Sequence, residues 1–178
     1  PARVRRIDGG FELLPARLAV SGGTVDLSGR LAERSRLRLK AGGVDVQFLR
    51  LVGLGPGLRG QIDADIDLTL GANDPVPEGR ARLRLSDFAA QSILEGMPEV
   101  NLDAEIVSRP DGLNAGLAIT GTRGTTGRMR VQLAPGPGDS LAARALSGAL
   151  SGGIRYTGPA ETVWSLLNVP DQSLVGAI

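Results

Sequence analysis

Along residues 58–70, "LRGQIDADIDLTL", apolar and polar positions alternate strictly. Leu58, Gly60, Ile62, Ala64, Ile66, Leu68 and Leu70 fall on one side, and Arg59, Gln61, Asp63, Asp65, Asp67 and Thr69 on the other. A period of two marks a β-strand with one apolar face, because successive side chains leave opposite sides of a pleated backbone. The same pattern recurs in "RLAV", "GTVDLSG", "RLRLK", "RARLRLS", "VNLDAEIVS", "GLNAGLAITG", "GRMRVQLA" and "LSGALSGGIRYTG". Turn-forming clusters separate the runs: "SGG" at 21–23, "GANDPVPEG" at 71–79, "RPDG" at 109–112 and "APGPGDS" at 134–140. Connections this short join antiparallel neighbours, so the chain predicts an all-β meander.

Two stretches break the alternation. Val44, Phe48, Leu51 and Val52 fall at helical spacing, as do Ala160, Val163, Trp164 and Leu167, with Pro159 early in the second helix and Pro170 just past its end. Both predict short amphipathic helices. They also introduce a repeat: "FLRLVGLGPGLRGQI" aligns with "WSLLNVPDQSLVGAI", placing Phe48 on Trp164, Leu58 on Leu174 and Gly60 on Gly176. The expected organisation is one excised segment of a larger repeat protein. Residues 1–43 end a preceding β unit, 44–158 form one helix-plus-strands repeat, and 159–178 begin the next.

Composition removes several chemistries. The chain has no histidine and no cysteine, hence neither the commonest general base nor a thiolate nucleophile or zinc–thiolate site. Twenty basic residues face nineteen acidic ones along the same segments, which is not the segregated positive face of a nucleic-acid binder. Arg82, Arg84, Arg128 and Arg130 alternate with aliphatics rather than with stacking aromatics, and no nucleic-acid partner is expected. No apolar run is long enough to cross a bilayer as a helix.

The apparent motifs fail on context. A calcium loop starting at Asp63 would need glycine at its sixth position and glutamate at its twelfth, where Leu68 and Asp74 stand. "GPGLRG" at 55–60 has dinucleotide-loop spacing but follows a predicted helix and precedes a strand, the reverse of what a pyrophosphate site needs. Ser92, Ser140 and Ser165 have no histidine to activate them, and Asp103 and Glu105 alternate along a polar strand face. The chain therefore reads as non-enzymatic, with no cofactor and no metal site. If "GANDPVPEG" closes a hairpin near residue 74, Asp67 comes opposite or diagonal to Arg82 and Asp65 to Arg84, with Ile66 facing Leu83 and Ala64 facing Leu85. The charges are then a pairing code on the wet face.

The dry face remains. The plainer architecture is a sealed β-sandwich, serving as a structural spacer or adhesin module. The other is one antiparallel sheet curled into an open, elongated groove, bent where glycines interrupt strands. Its candidate lining is Leu58, Ile62, Ala64, Ile66, Leu68, Leu83, Leu85, Leu102, Ile106, Leu117, Ile119, Met129, Val131 and Leu133. An apolar trough of this size normally has a partner, either phospholipid acyl chains or an amphipathic β-strand of a client.

The phrase "VDVQFLRLVG" followed by "GLRGQIDADIDLTLGANDPVPEGRARLRLS" resembles the repeating element of the TamB family, the inner-membrane subunit of the translocation and assembly module and a relative of AsmA-like bridge proteins. Leu58, Gly60, Asp65, Leu68, Gly71, Pro75 or Pro77, and Gly79 carry the likeness over residues 44–86. "ETVWSLLNVPDQSLVGAI" extends it to the start of another copy, although "GLGPG" makes a longer helix-to-strand link than "NVPDQ". The resemblance implies a taco-like β-groove in the periplasm of a Gram-negative bacterium, within a protein anchored in the inner membrane by regions outside this segment. It implies an Omp85-class outer-membrane barrel as partner, and a role in lipid transport or outer-membrane protein assembly.

Overall fold

The computed structural model describes residues 2–48, 58–71, 76–90, 99–122, 124–138, 143 and 147–159. Ten strands form one antiparallel sheet in simple sequence order: β1 (Val4–Ile7), β2 (Gly10–Val20), β3 (Gly23–Leu31), β4 (Arg34–Asp45), β5 (Leu58–Gly71), β6 (Glu78–Ala90), β7 (Val100–Arg109), β8 (Gly112–Gly121), β9 (Thr126–Ala134) and β10 (Ala149–Thr157). The meander is open, with β1 and β10 at its two edges, rather than a barrel or a two-sheet sandwich.

All four turn clusters connect consecutive strands. Ser21–Gly22 and Pro110–Asp111 are both two-residue loops, and at the first both residues have positive φ, 42° and 81°, the geometry whose twist matches a two-residue hairpin. Alternation does not mark β1 or the first half of β2, because Leu13 and Leu14 are adjacent and Pro15 follows. The structure absorbs the irregularity in a bulge between Leu13 and Ala16, where a proline without an N–H is tolerated.

A second bulge lies between Ala41 and Val44 of β4. Gly43 takes a φ of 61° there, and its N–H donates to Asp63 Oδ1 at 2.9 Å. The extra residue returns Val44 to the apolar face opposite Ile62, and this explains its apparent helical spacing. Where a helix is expected from Val44 onward, β4 continues to Asp45 and a single 3₁₀ turn follows at 46–48. Leu51, Val52 and the second expected helix, from Ala160 on, lie outside the described residues.

The β5–β6 register differs from expectation by two residues. Ile62 pairs with Leu85, Ala64 with Leu83, Ile66 with Ala81 and Asp67 with Arg80. Gly79 is the reason. It lies opposite Leu68 with φ 143°, and a Cβ there would sit 2.0 Å from the Asp67 carbonyl oxygen, so only glycine fits this close approach. A slip of two leaves every side chain on its predicted face, whereas a slip of one would have inverted them.

Candidate functional site

Cross-strand pairing gathers the predicted apolar residues into four rows. Ile62, Leu85, Leu102 and Ile119 form one, ending at Gly127 and Tyr156. Ala64, Leu83, Ala104, Leu117, Met129 and Ile154 form the second. Ile66, Ala81, Ile106, Ala115, Val131 and Gly152 form the third, and Leu68, Gly79, Ser108, Leu113, Leu133 and Leu150 the fourth. Across β5–β8 the middle rows interleave large and small residues, so the surface is furrowed. Leu58 pairs with Ala90 at the start of β5, and its side chain lies outside the described residues.

No second layer covers these rows among the described residues. Leu83 and Ile106, on central strands, are 40% and 39% exposed, and the rest of the described set is half-buried. Among the described residues the buried apolar side chains are Val44, Val46 and Val100, which lie towards one end of the strands. Ser108 breaks the aliphatic lining near the other end, with its Oγ buried and unpaired.

The face is wider than the predicted set. It continues through Val44 into β4, β3 and β2, where Leu39, Leu27 and Ala16 extend the third row and Leu37, Gly29 and Leu13 the fourth. Val4, Phe11, Leu13, Leu31, Leu37, Leu68 and Leu70 help to line a depression of about 500 Å³ there. Phe88 also joins the apolar face. Strict alternation from Leu85 assigns it to the wet side, but a bulge at Ser86–Asp87 inserts a residue and pairs Phe88 with Val100. Asp87 takes a φ of 52°, and its N–H donates to Asn101 Oδ1 at 3.0 Å.

The opposite face is ionic, and its partners are not those expected. Asp67 accepts a two-pronged contact from Arg36 of β4, Nε to Oδ1 at 2.9 Å and Nη2 to Oδ2 at 2.7 Å, and a third bond from Arg38 at 3.1 Å. Arg80 and Arg82 meet Glu105 of β7 at 3.2 and 3.1 Å, and Arg84 meets Asp103 at 2.9 Å. Asp67 and the β6 arginines thus bond outward to β4 and β7 rather than to each other; the Arg36–Asp67 pair uses both carboxylate oxygens, the geometry that arginine's planar fork favours. The Arg36 hydrogen bond holds the Asp67 carboxyl below its usual range, and the Arg17 hydrogen bond does the same for Asp26.

One side of the sheet is therefore charged, and the other is an aliphatic surface that no second layer covers among the described residues. Comparison with protein-family models, with curated proteins and with solved structures returns no match to the chain.

Proposed function

We propose that this segment is a non-enzymatic carrier surface that shields phospholipid acyl chains on its apolar face. In this reading it acts in the periplasm, within an inner-membrane-anchored protein that meets an Omp85-class barrel, as the likeness to TamB implies. Membrane contact lies in regions outside the segment.

The observation that carries the reading is the exposure of Leu83 and Ile106 at the centre of a continuous aliphatic face. Burying an apolar group in a partner is favourable by roughly 0.8 kcal/mol per methylene, and a face of leucine, isoleucine and alanine with few polar atoms suits a partner that makes no hydrogen bonds. Acyl chains meet that requirement. A client strand laid across the face would leave its own peptide groups unpaired, at a cost.

The test is lipid extraction and native mass spectrometry of the purified segment, followed by delipidation and reloading with pyrene-labelled phosphatidylglycerol. The expected result is co-purifying phospholipid, with probe uptake that unlabelled lipid displaces. A lipid-free protein that takes up no probe would leave a structural spacer as the better account.

A further inference from the structure

The polar face changes character across the sheet. From β4 to β7 acidic and basic strands face each other: Arg36, Arg38 and Lys40, then Asp63, Asp65 and Asp67, then Arg80, Arg82 and Arg84, then Asp103 and Glu105, while β3 carries both Asp26 and Arg30. β6 thus lies between two strands that offer carboxylates, and β4 between Asp26 of β3 and the aspartates of β5. Beyond β8 the rule stops. Arg128 and Arg130 of β9 lie opposite Ala118 and Gly116 on one side, and Arg155 and Gly153 of β10 on the other. None of these three arginines forms an ion pair among the described residues.

This charge, unpaired among the described residues, adjoins the edge strand β10. β10 pairs only with β9 among the described residues, so alternate N–H and C=O groups along its nine residues face outward. On its apolar side Leu150 and Ile154 are 71% and 77% exposed. On its polar side Gly153 leaves open space, since a Cβ there would meet nothing within 4 Å. A carboxylate on an added strand could cross that gap to Arg130.

We infer that the β10 edge accepts an extended segment of another polypeptide, with carboxylates alternating with aliphatic residues, by strand addition. Backbone bonding supplies the affinity, Leu150 and Ile154 receive the aliphatic side, and Arg128, Arg130 and Arg155 select the acidic side. A second copy of this chain does not fit. Neither of its edge strands supplies a carboxylate, since β1 reads VRRI and β10 ALSGGIRYT. Residues 160–178 do not supply such a segment, since their only carboxylates are Glu161 and Asp171, well separated. The inference rests on charge and edge geometry, and is independent of the acyl-chain reading.

The test uses the whole 178-residue chain, isotopically labelled, with a nine-residue peptide alternating aspartate with valine and leucine, matched to β10. A lysine-for-aspartate analogue and phosphatidylglycerol vesicles are the comparison probes. The expected result is slowed amide exchange along Ala149–Thr157 with the acidic peptide only. Reversing Arg128→Glu and Arg130→Glu together should weaken that binding by on the order of tenfold or more and strengthen binding of the lysine analogue. Unchanged exchange in β5 and β6 would verify that the variant remains folded. Equal binding of both peptides, protection at β1 instead, indifference to the charge reversal, or arginine-dependent binding to vesicles with none to peptide would each overturn the inference.

Discussion

If the apolar face carries acyl chains as proposed, replacing Leu83 by aspartate should separate folding from binding. Leu83 sits between Ala64 of β5 and Ala104 of β7, with 40% of its surface in water. Full burial of leucine is worth roughly 1.5–3 kcal/mol, so a partly exposed one stands to lose only about 1–2 kcal/mol of folding stability. The new carboxylate, flanked by alanines on an open face, stays hydrated in the free protein. Binding responds differently. An acyl chain along this row meets Leu83 with about two methylenes, covered on one side, so Leu83→Ala weakens binding by roughly 1 kcal/mol, or about fivefold. Leu83→Asp also forces desolvation of a carboxyl under the chain. That raises its pKa in the complex, and about two units amount to roughly 2.7 kcal/mol. The total is a loss of roughly a few hundredfold at pH 7. Because the complex holds the proton more tightly than the free variant, the deficit shrinks as pH falls towards about 4, where Leu83→Asp should behave like Leu83→Ala. The assay is transfer of pyrene-labelled phosphatidylglycerol from vesicles to each variant, with circular dichroism to verify folding. Asp65→Asn is the control on the opposite face and should bind as the native chain does. Equal loss in Leu83→Asp and Asp65→Asn, or a deficit in Leu83→Asp that does not move with pH, would refute the groove.

Four further outcomes test the fold that presents this face. Gly79→Ala should destabilise by more than about 2 kcal/mol in chemical denaturation, since φ is 143° and the Cβ would collide with the Asp67 carbonyl. Gly116→Ala, with open space around its Cβ, should be neutral or mildly stabilising. At the β6 bulge Asp87→Val should cost about 1–2 kcal/mol, while Asp87→Gly should cost little because glycine takes the φ of 52° freely; equal effects would deny the bulge its backbone requirement. Asp67 has its folded pKa depressed by the Arg36 hydrogen bond, so its stabilising contribution is present above about pH 4 and lost as pH falls through the folded value. The melting temperature of the native chain should exceed that of Asp67→Asn at pH 7, with the gap closing in acid; a gap independent of pH would count against this ion pair.

The faces were legible in the sequence, but the registers were not. Ile62, Ile66, Leu83 and Ile106 could be assigned to one side because a period of two distinguishes sides and nothing else. It is blind to a two-residue slip, so the placement of Leu83 opposite Ala64 had to come from Gly79, whose missing Cβ marks the close approach to Asp67. It also fails wherever one residue is inserted. The Gly42–Gly43 bulge gave Val44 a helical spacing within a strand, and the Ser86–Asp87 bulge moved Phe88 across the sheet. Glycines and an aspartate inside otherwise regular strands were the available signals. Ion-pair partners were less legible still, since Asp67 stands between basic strands β4 and β6 and its choice depends on arginine geometry rather than on pattern.

On the proposed carrier function, a single sheet can leave its apolar face open to a guest because folding and binding would use different parts of the same side chains. The flanks of Leu83 and Ile106 press against cross-strand neighbours, and that contact helps hold the strands in register whether or not anything lies above them. Their outer surfaces remain in water, where burial by a guest is still favourable. The furrowing of the middle rows follows from the same division. Where Leu83 stands beside Ala64 and Ala104, and Ile106 beside Ala81 and Ala115, each large residue rests on small neighbours and projects above them. A second layer packed onto this face would bury those outer surfaces and remove the free energy they hold in reserve. The charged face adds the complementary constraint. Its exposed ion pairs contribute at most modestly to stability, but they keep that side hydrated and so direct any apolar guest to the other.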